Sequence, residues 1–329
     1  CFKKYVFFSI LFSVKKFLLI FSMCLLFLCE GAFAFLSPEA PSEEFWRDRY
    51  FDYRKEDAAD STREFSVPKF AAVASTTLLA YGAAYWLIFD KGWWDEGKTD
   101  FHFENDFYYA KNLDKLGHFA SGVLMGELFY EGYHWAGVNE FYSYLLAGGS
   151  AFLTHVAIDV KDGYSPDWGF SVFDVIFGTL GGFLPMAERY VPIFKYFDLK
   201  WSYWINTKAY YRSSDTGIFT DDYVNQTFWL SLKPYRMLPQ KARAYYPEWL
   251  AFAFGLSIDE GRYVRGENGK LKKGHYEIYF ALDYDLEAFR PKSRLARTFV
   301  KTLNYLKLPA PTLELYPDFR LHWLYPIKF

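Results

Sequence analysis

Cysteine is nearly absent from this chain, and all three cysteines, Cys1, Cys24 and Cys29, lie within the first 29 residues. The rest of the chain can therefore form neither a disulfide framework nor a thiolate metal site. Basic charge is not in excess either, because the net charge is −2, and nucleic acid is excluded as a predicted partner. A phosphate-cradling glycine loop, a serine nucleophile elbow and a dinucleotide fingerprint are also missing. Any chemistry must come from other residue types.

Aromatic residues, in contrast, are abundant and make up 23% of the chain. Tyrosine and tryptophan favour positions where one end of the side chain is apolar and the other end is wet, as at a membrane interface. The composition therefore predicts membrane association, with membrane lipid or an envelope protein as partner. It leaves cofactors, metal ions and the oligomeric state unknown.

The N-terminal region has the order of a secretory signal. Lys15 and Lys16 precede an apolar run, which is followed by Ala32-Phe33-Ala34, so residues 1–34 are predicted to be a signal peptide cleaved after Ala34. The alternative is a lipoprotein signal with lipidated Cys29, but the large Leu28 before it disfavours this interpretation. The chain is thus predicted to be exported to the periplasmic face of the cell envelope.

A helical region is predicted at 67–192, after an exposed lead-in at 35–66. Phe70–Phe89 contains no charged residue and is long enough to cross a bilayer, although a buried core helix is the alternative. Three further apolar segments of helical character follow at 115–131, 141–160 and 171–187. Small residues at helical spacing, Gly122/Gly126 and Gly178/Gly182, predict close helix packing.

The hydrophobic pattern changes to a period of two from about Phe197, which predicts strands. Further strand-like runs occur at 225–233, 249–258, 275–285 and 312–325, with Asn268-Gly269 as a turn signal. Between the last two runs, Leu295, Phe299, Leu303 and Leu306 share a helical face among basic residues, a pattern that suits a lipid interface.

The predicted fold class is α+β: a membrane-associated bundle of about four helices, followed by an antiparallel β-sheet or partial barrel at 193–329. The terminal Phe329 after an aromatic-rich strand is typical of outer-membrane proteins, so the outer membrane is favoured over the inner membrane. About five or six strands are predicted, however, and closed barrels of that class need at least eight.

Two polar clusters interrupt the apolar helices, one at 114–118 and one at 155–174. Ionisable groups cost free energy in apolar surroundings unless they are paired or have a function. The two clusters therefore indicate a site. Residues four apart share a helical face, which joins Asp114 with His118 and His155 with Asp159. The predicted binding or structural cluster consists of Asp114, Lys115, His118, Asp159, Lys161, Asp162 and Asp174.

Three interpretations of this cluster remain open. The charges can pair internally and fix the helix register. His118, His155, Asp159 and Asp174 can bind a metal ion, because imidazole and carboxylate suit zinc, manganese or iron. Alternatively, His118, His155 and Asp159 can be catalytic as acid, base or nucleophile.

Several of these motifs, taken in order, resemble the bacterial family DUF2279, which includes YfiM-type periplasmic lipoproteins. The matching elements lie between about residues 68 and 190: Phe103–Asp106, Asp114–Phe119, Asp159–Asp162, Trp168–Ser171, Asp174 and Gly181. The resemblance implies a cell-envelope protein without an assigned reaction. The family commonly has Asn four residues after the last Asp, where this chain has Gly178.

A second resemblance is to lipid phosphatases related to phosphatidic acid phosphatase type 2. Gly117-His118 is similar to the end of their P-S-G-H motif, and His155 with Asp159 is similar to their nucleophile and its orienting carboxylate. The cations that would stabilise a phosphoryl transition state are missing from the matching positions. A structural or binding role is therefore preferred, with lipid-phosphate hydrolysis and metal binding as alternatives.

Overall fold

The fold is taken from a computed structural model. It describes residues 64–84, 97–204, 222–258 and 275–327. The predicted signal peptide, most of the lead-in and the Asn268-Gly269 turn lie outside these ranges. So do residues 85–89 of the long apolar run, and the statements below concern the described residues.

The described part of the helical half contains four α-helices. They are α1 Val67–Ala84, α2 Leu113–Trp135, α3 Glu140–Asp162 and α4 Val172–Tyr190. Side chains cap two of them: Asn139 accepts a hydrogen bond from the Phe141 amide, and Ser171 accepts one from the Asp174 amide. The number of helices and their approximate positions were predicted from the sequence and are confirmed.

Length and composition allow one described helix, α3, to cross a membrane, although the core helix of a soluble protein can meet the same criterion. The apolar stretch of α1 that passes a similar test is shorter, Val67–Leu79. Whether Phe70–Phe89 crosses a bilayer therefore stays a prediction.

Glycines bring α2 and α4 into backbone contact. A Cβ built on Gly122 would lie 2.1 Å from the Gly178 carbonyl oxygen, and one on Gly126 would lie 2.4 Å from the Gly182 carbonyl oxygen. Real Cβ atoms do not approach so closely, so only glycine permits this packing. The predicted role of the two small-residue pairs is confirmed.

The second half is built around a six-stranded antiparallel sheet, in which each strand pairs with the next along the chain. The strands are β1 Phe197–Tyr203, β2 Gln226–Leu232, β3 Leu250–Ile258, β4 Tyr276–Tyr284, β5 Ala310–Tyr316 and β6 Arg320–Tyr325. The described parts of its connections include three α-helices, α5 Pro234–Met237, α6 Gln240–Arg243 and α7 Arg294–Asn304. Helices and an antiparallel sheet occupy separate parts of the chain, so the α+β prediction is confirmed. The sheet is open. The predicted run 312–325 forms two strands, β5 and β6.

The sheet is curved, and its concave face is polar. Lys200 on β1 lies 3.0 Å from Asp283 on β4, and Ser231 on β2 donates to the same carboxylate. Thr227 on β2 is 2.6 Å from the Tyr325 hydroxyl on β6. Strands about 4.8 Å apart could not make these contacts across a flat sheet. The polar residues of the alternating pattern therefore point inward.

The convex face carries the apolar residues of the same pattern. On β3 and β4, Phe254 and Phe280 have ring centroids 5.2 Å apart, and Ile278 and Leu282 are exposed beside them. Leu315 on β5 continues this surface. Phe228 and Ile258 lie on the same face but are buried in a cluster with Leu113 of α2, so part of this apolar face packs on the helical half and part is exposed.

The two halves pack together along α2. Near its N-terminus, Leu113 joins Tyr223, Phe228 and Ile258 in one hydrophobic cluster. In the C-terminal half of α2, the buried Glu127 forms an ion pair with Lys301 of α7. The helical and β halves therefore share a core.

Glu188 on α4 lies at this junction and gives a testable pH dependence. Tyr305 donates a hydrogen bond to its Oε2 over 3.2 Å. Burial raises the pKa of Glu188 from 4.5 to about 7, although Lys301 acts in the opposite direction. The folded state therefore holds a proton there that the unfolded state loses above about pH 4.5.

We expect this group to lower stability as the pH rises from about 4.5 to 7. Relative to Glu188→Gln, the wild type should lose on the order of 2 kcal/mol of unfolding free energy across that range. Denaturant unfolding in detergent at several pH values measures the difference. A constant difference between the two proteins would contradict the prediction.

Candidate binding site in the helical half

Lys115 is the centre of the site, with only 1% of its side chain exposed. Its ammonium lies 2.7 Å from Asp106 Oδ2 and 2.5 Å from Asp114 Oδ2, and it also donates to Asp174 Oδ1. All three ammonium protons are thereby used. Burial alone would lower the pKa of Lys115, but the three carboxylates raise it, so the side chain stays charged.

His118 lies one turn further along α2, on the other side of the same carboxylates. Its Nε2 is 3.5 Å from Asp114 Oδ1 and 3.6 Å from Asp174 Oδ2. Burial acts to lower the pKa of His118, but Asp174 and Asp114 outweigh it and raise the pKa to about 10. The Tyr223 hydroxyl, from the β half, donates to Asp114 Oδ1 over 2.6 Å. The site thus joins both halves of the protein.

The pKa values of Asp114 and Asp174 are shifted in opposite directions. Burial acts to raise the pKa of Asp114, but Lys115 and His118 lower it below its usual range. Burial raises the pKa of Asp174, and the charge of Asp114 adds to this increase.

A tight left-handed turn precedes the site. The φ values are 46° for Ala110, 52° for Lys111 and 70° for Asn112. The side-chain amide of Asn112 donates a hydrogen bond to the Phe107 carbonyl oxygen. Such conformations cost about 1–3 kcal/mol each for residues other than glycine and persist only where their surroundings hold them. Here the turn leads directly into the buried Leu113 and the first turn of α2.

Ser171 links the remaining carboxylates at the start of α4. Its hydroxyl donates to Asp106 Oδ1 over 2.5 Å, while its backbone amide donates to Asp159 Oδ1 over 3.0 Å. The same hydroxyl accepts from the amide of Asp174. The N-cap residue of α4 therefore bonds to side chains from two other segments.

His155 and Asp159 lie on α3 beside this group but contact different partners. His155 Nδ1 is 2.9 Å from the Ala151 carbonyl oxygen, and its Nε2 is 3.2 Å from Ser121 Oγ. Burial and the charge of His118 lower the pKa of His155 to about 4, so the ring is neutral at pH 7. These contacts do not form the His155–Asp159 pair that a phosphohistidine mechanism would need.

Asp159 has an unusual environment. Its side chain is buried, and among the described residues its Oδ2 has no hydrogen-bond partner. Burial raises the pKa of Asp159 to about 7, against the opposing charge of His118. A buried carboxylate oxygen without a donor favours uptake of a proton or another cation.

Gly178 makes room for His155. A Cβ at this position would lie 2.2 Å from His155 Cδ2. Any larger residue there would collide with the imidazole as it is placed in this chain. The space above Gly178 is therefore used by His155.

The structure brings together four of the residues selected from the sequence: Asp114, Lys115, His118 and Asp174. His155 and Asp159 are adjacent to this group, while Lys161 and Asp162 lie half-buried at the end of α3. Sequence reasoning did not select Asp106, Ser121 or Tyr223 as site residues. Asp106 stands in one of the family-like motifs, but nothing in the sequence indicates that Tyr223, 109 residues after Asp114, completes the site.

The chain was compared with protein-family models, with curated proteins and with solved structures. None of them matches. The resemblance to DUF2279 therefore stays a prediction that rests on the motifs themselves.

Proposed function

We propose that the chain is an exported protein of the bacterial cell envelope, which contacts membrane lipid and uses its polar helical cluster as a binding or structural site. The periplasmic face of the outer membrane is its proposed location. In this proposal the cluster is not an enzyme centre. Membrane lipid or an envelope protein is the partner.

The exposed apolar part of the convex sheet face carries the proposal of lipid contact. Charged and hydroxyl side chains such as Lys200, Asp283 and Thr227 face inward, where they bond to one another. Leu282 and Leu315 face outward and are 39% and 43% exposed. An apolar outer face on a polar interior is the pattern of sheets that face lipid.

Two helices support the same proposal. On α3, Leu145, Leu146 and Leu153 are exposed, which leaves one side of an apolar helix uncovered. On α7, Leu295 and Phe299 lie one turn apart and are 84% and 66% exposed. Their basic neighbours on α7 suit the anionic headgroups at a lipid surface.

The contacts of Lys115 support a binding or structural role for the cluster. The ammonium connects Asp106, Asp114 and Asp174, which come from three separate segments. Removing one partner of a buried charge pair is costly, so such a group holds its segments in register. His155, the candidate nucleophile, is meanwhile bonded to a backbone carbonyl and a serine hydroxyl.

The test of lipid contact is flotation of the purified full chain with phosphatidylethanolamine and phosphatidylglycerol vesicles. The wild type should float with the vesicles. Leu282→Glu should weaken partitioning about fivefold or more, because placing a carboxylate against lipid tails costs about 1–2 kcal/mol.

Met237→Glu is the matched control, since Met237 is also exposed but lies on α5, in the connection between β2 and β3 and not on a strand of the sheet. It should float like the wild type. Equal losses in both variants, or a wild type that stays with the soluble fraction, would overturn the proposal.

A further inference from the structure

The polar cluster has more carboxylates than cations. Asp106, Asp114 and Asp174 surround Lys115, whose three donors are already used. Each carboxylate bonded to Lys115 directs one oxygen to it, which leaves Asp114 Oδ1 and Asp174 Oδ2 on the opposite side, facing His118 Nε2. Two carboxylate oxygens that are not bonded to Lys115 thus face a potential metal ligand.

The geometry of these three atoms fits a metal ion. One ligand atom from each of the three residues lies within 4.8 Å of the others, and the two distances to Nε2 are 3.5 and 3.6 Å. Ligands about 2.1 Å from a tetrahedral zinc ion are separated by about 3.4 Å, so small side-chain adjustments suffice. One imidazole with two carboxylates also suits first-row divalent ions in general.

A second observation points to a cation at this place. Asp159 Oδ2 is buried and, within the described ranges, has no hydrogen-bond partner. Its other oxygen accepts from the Ser171 amide, and the Ser171 hydroxyl bonds to Asp106 and caps the Asp174 amide, so this carboxylate lies beside the cluster. A cation bound there would compensate its negative charge.

We propose that Asp114 Oδ1, His118 Nε2 and Asp174 Oδ2 bind a divalent first-row transition-metal ion, with Zn²⁺ as the best geometric match. This inference deepens the binding role in the proposed function and rests on it. Tyr223 orients Asp114, and Lys115 holds the far oxygens of both carboxylates, so both act as outer-shell partners. His118, 20% exposed, provides the access from solvent.

The other polar residues of the region have different roles. His155 Nε2 faces Ser121 Oγ, and its ring centroid is 5.8 Å from that of His118, so His155 is not among the ligands. The proton on His118 competes with the metal. The carboxylates that hold this proton attract a doubly charged ion more strongly, and binding releases the proton.

The test is a titration of the chelator-treated full chain in detergent with Co²⁺ and then Zn²⁺. The wild type should bind one equivalent of Co²⁺ with a visible ligand-field spectrum, and Zn²⁺ should displace it. His118→Ala should lower the affinity at least about 100-fold, since even the loss of an outer-shell partner costs 10–100-fold. Asp174→Asn should weaken binding as well.

His322→Ala is the control, because His322 pairs with Glu314 in the β half and lies away from the site. It should bind Co²⁺ like the wild type. Equal loss in His322→Ala and His118→Ala would overturn the inference.

If His118→Ala fails to fold, the titration of the wild type still tests the inference. Binding of less than half an equivalent of Co²⁺, or no change in the ligand-field spectrum, would overturn it. Flotation on the same preparation separates the two proposals. A protein that floats with vesicles but binds no metal contradicts only this inference.

Discussion

Replacing Lys115 with methionine is expected to lower the free energy of unfolding by about 3–5 kcal/mol at pH 7. The methionine has a similar volume, but it leaves the carboxylates of Asp106, Asp114 and Asp174 without their shared ammonium. Denaturant unfolding in detergent measures the effect. Because the unpaired carboxylates would take up protons more readily in the folded state, the loss should be smaller at pH 5 than at pH 7.

Lys98→Met is the matched control, since Lys98 is exposed near the same half of the protein. It should change the unfolding free energy by about 0.5 kcal/mol or less. A Lys115→Met protein as stable as this control would mean that the charge network does not hold the helices together. This result would contradict the proposed structural role of the cluster.

Gly181→Ala is expected to destabilise the protein by about 3 kcal/mol, at the upper end of the range for overpacking. A Cβ on Gly181 would lie 2.0 Å from the carbonyl oxygen of Phe119 and 3.0 Å from the amide nitrogen of Val123. These are backbone atoms of α2, so no side-chain rotation can relieve the overlap. The helices must separate, which also pulls Asp174 away from Lys115.

Gly149→Ala is a same-type control on α3, where an added Cβ meets nothing within 4 Å. It should stabilise the protein by about 0.5–1 kcal/mol, because alanine is the better helix former. Opposite signs for the two substitutions are the expected result. Equal effects would show that helix propensity, and not the contact between α2 and α4, decides the outcome.

Much of the fold could be predicted because its patterns are local. The change from a helical period to a period of two occurs between α4, which ends at Tyr190, and β1, which begins at Phe197. The glycine pairs at Gly122 and Gly178 indicated close helix packing. Which face of the sheet is buried could not be predicted. An alternating pattern shows which residues share a face, but it does not show which face is turned to the interior.

The site was predicted only in part, for a related reason. Spacing along α2 places Asp114 and His118 on one face, and this local relation is present in the structure. Spacing along α3 suggested the same for His155 and Asp159, yet each bonds to a different partner. Helical spacing defines which residues can meet, whereas the neighbouring helix defines which of them do.

The sequence by itself determined the α+β class, the helices and strands, and the residues that carry charge into apolar helices. Tertiary structure decided that Lys115 joins three carboxylates, that Tyr223 of the β half completes the site, and that the polar face of the sheet is concave. The physical reason is that periodicity and capping act over a few residues. Charge pairing and curvature, in contrast, depend on groups that only the folded chain brings within hydrogen-bond distance.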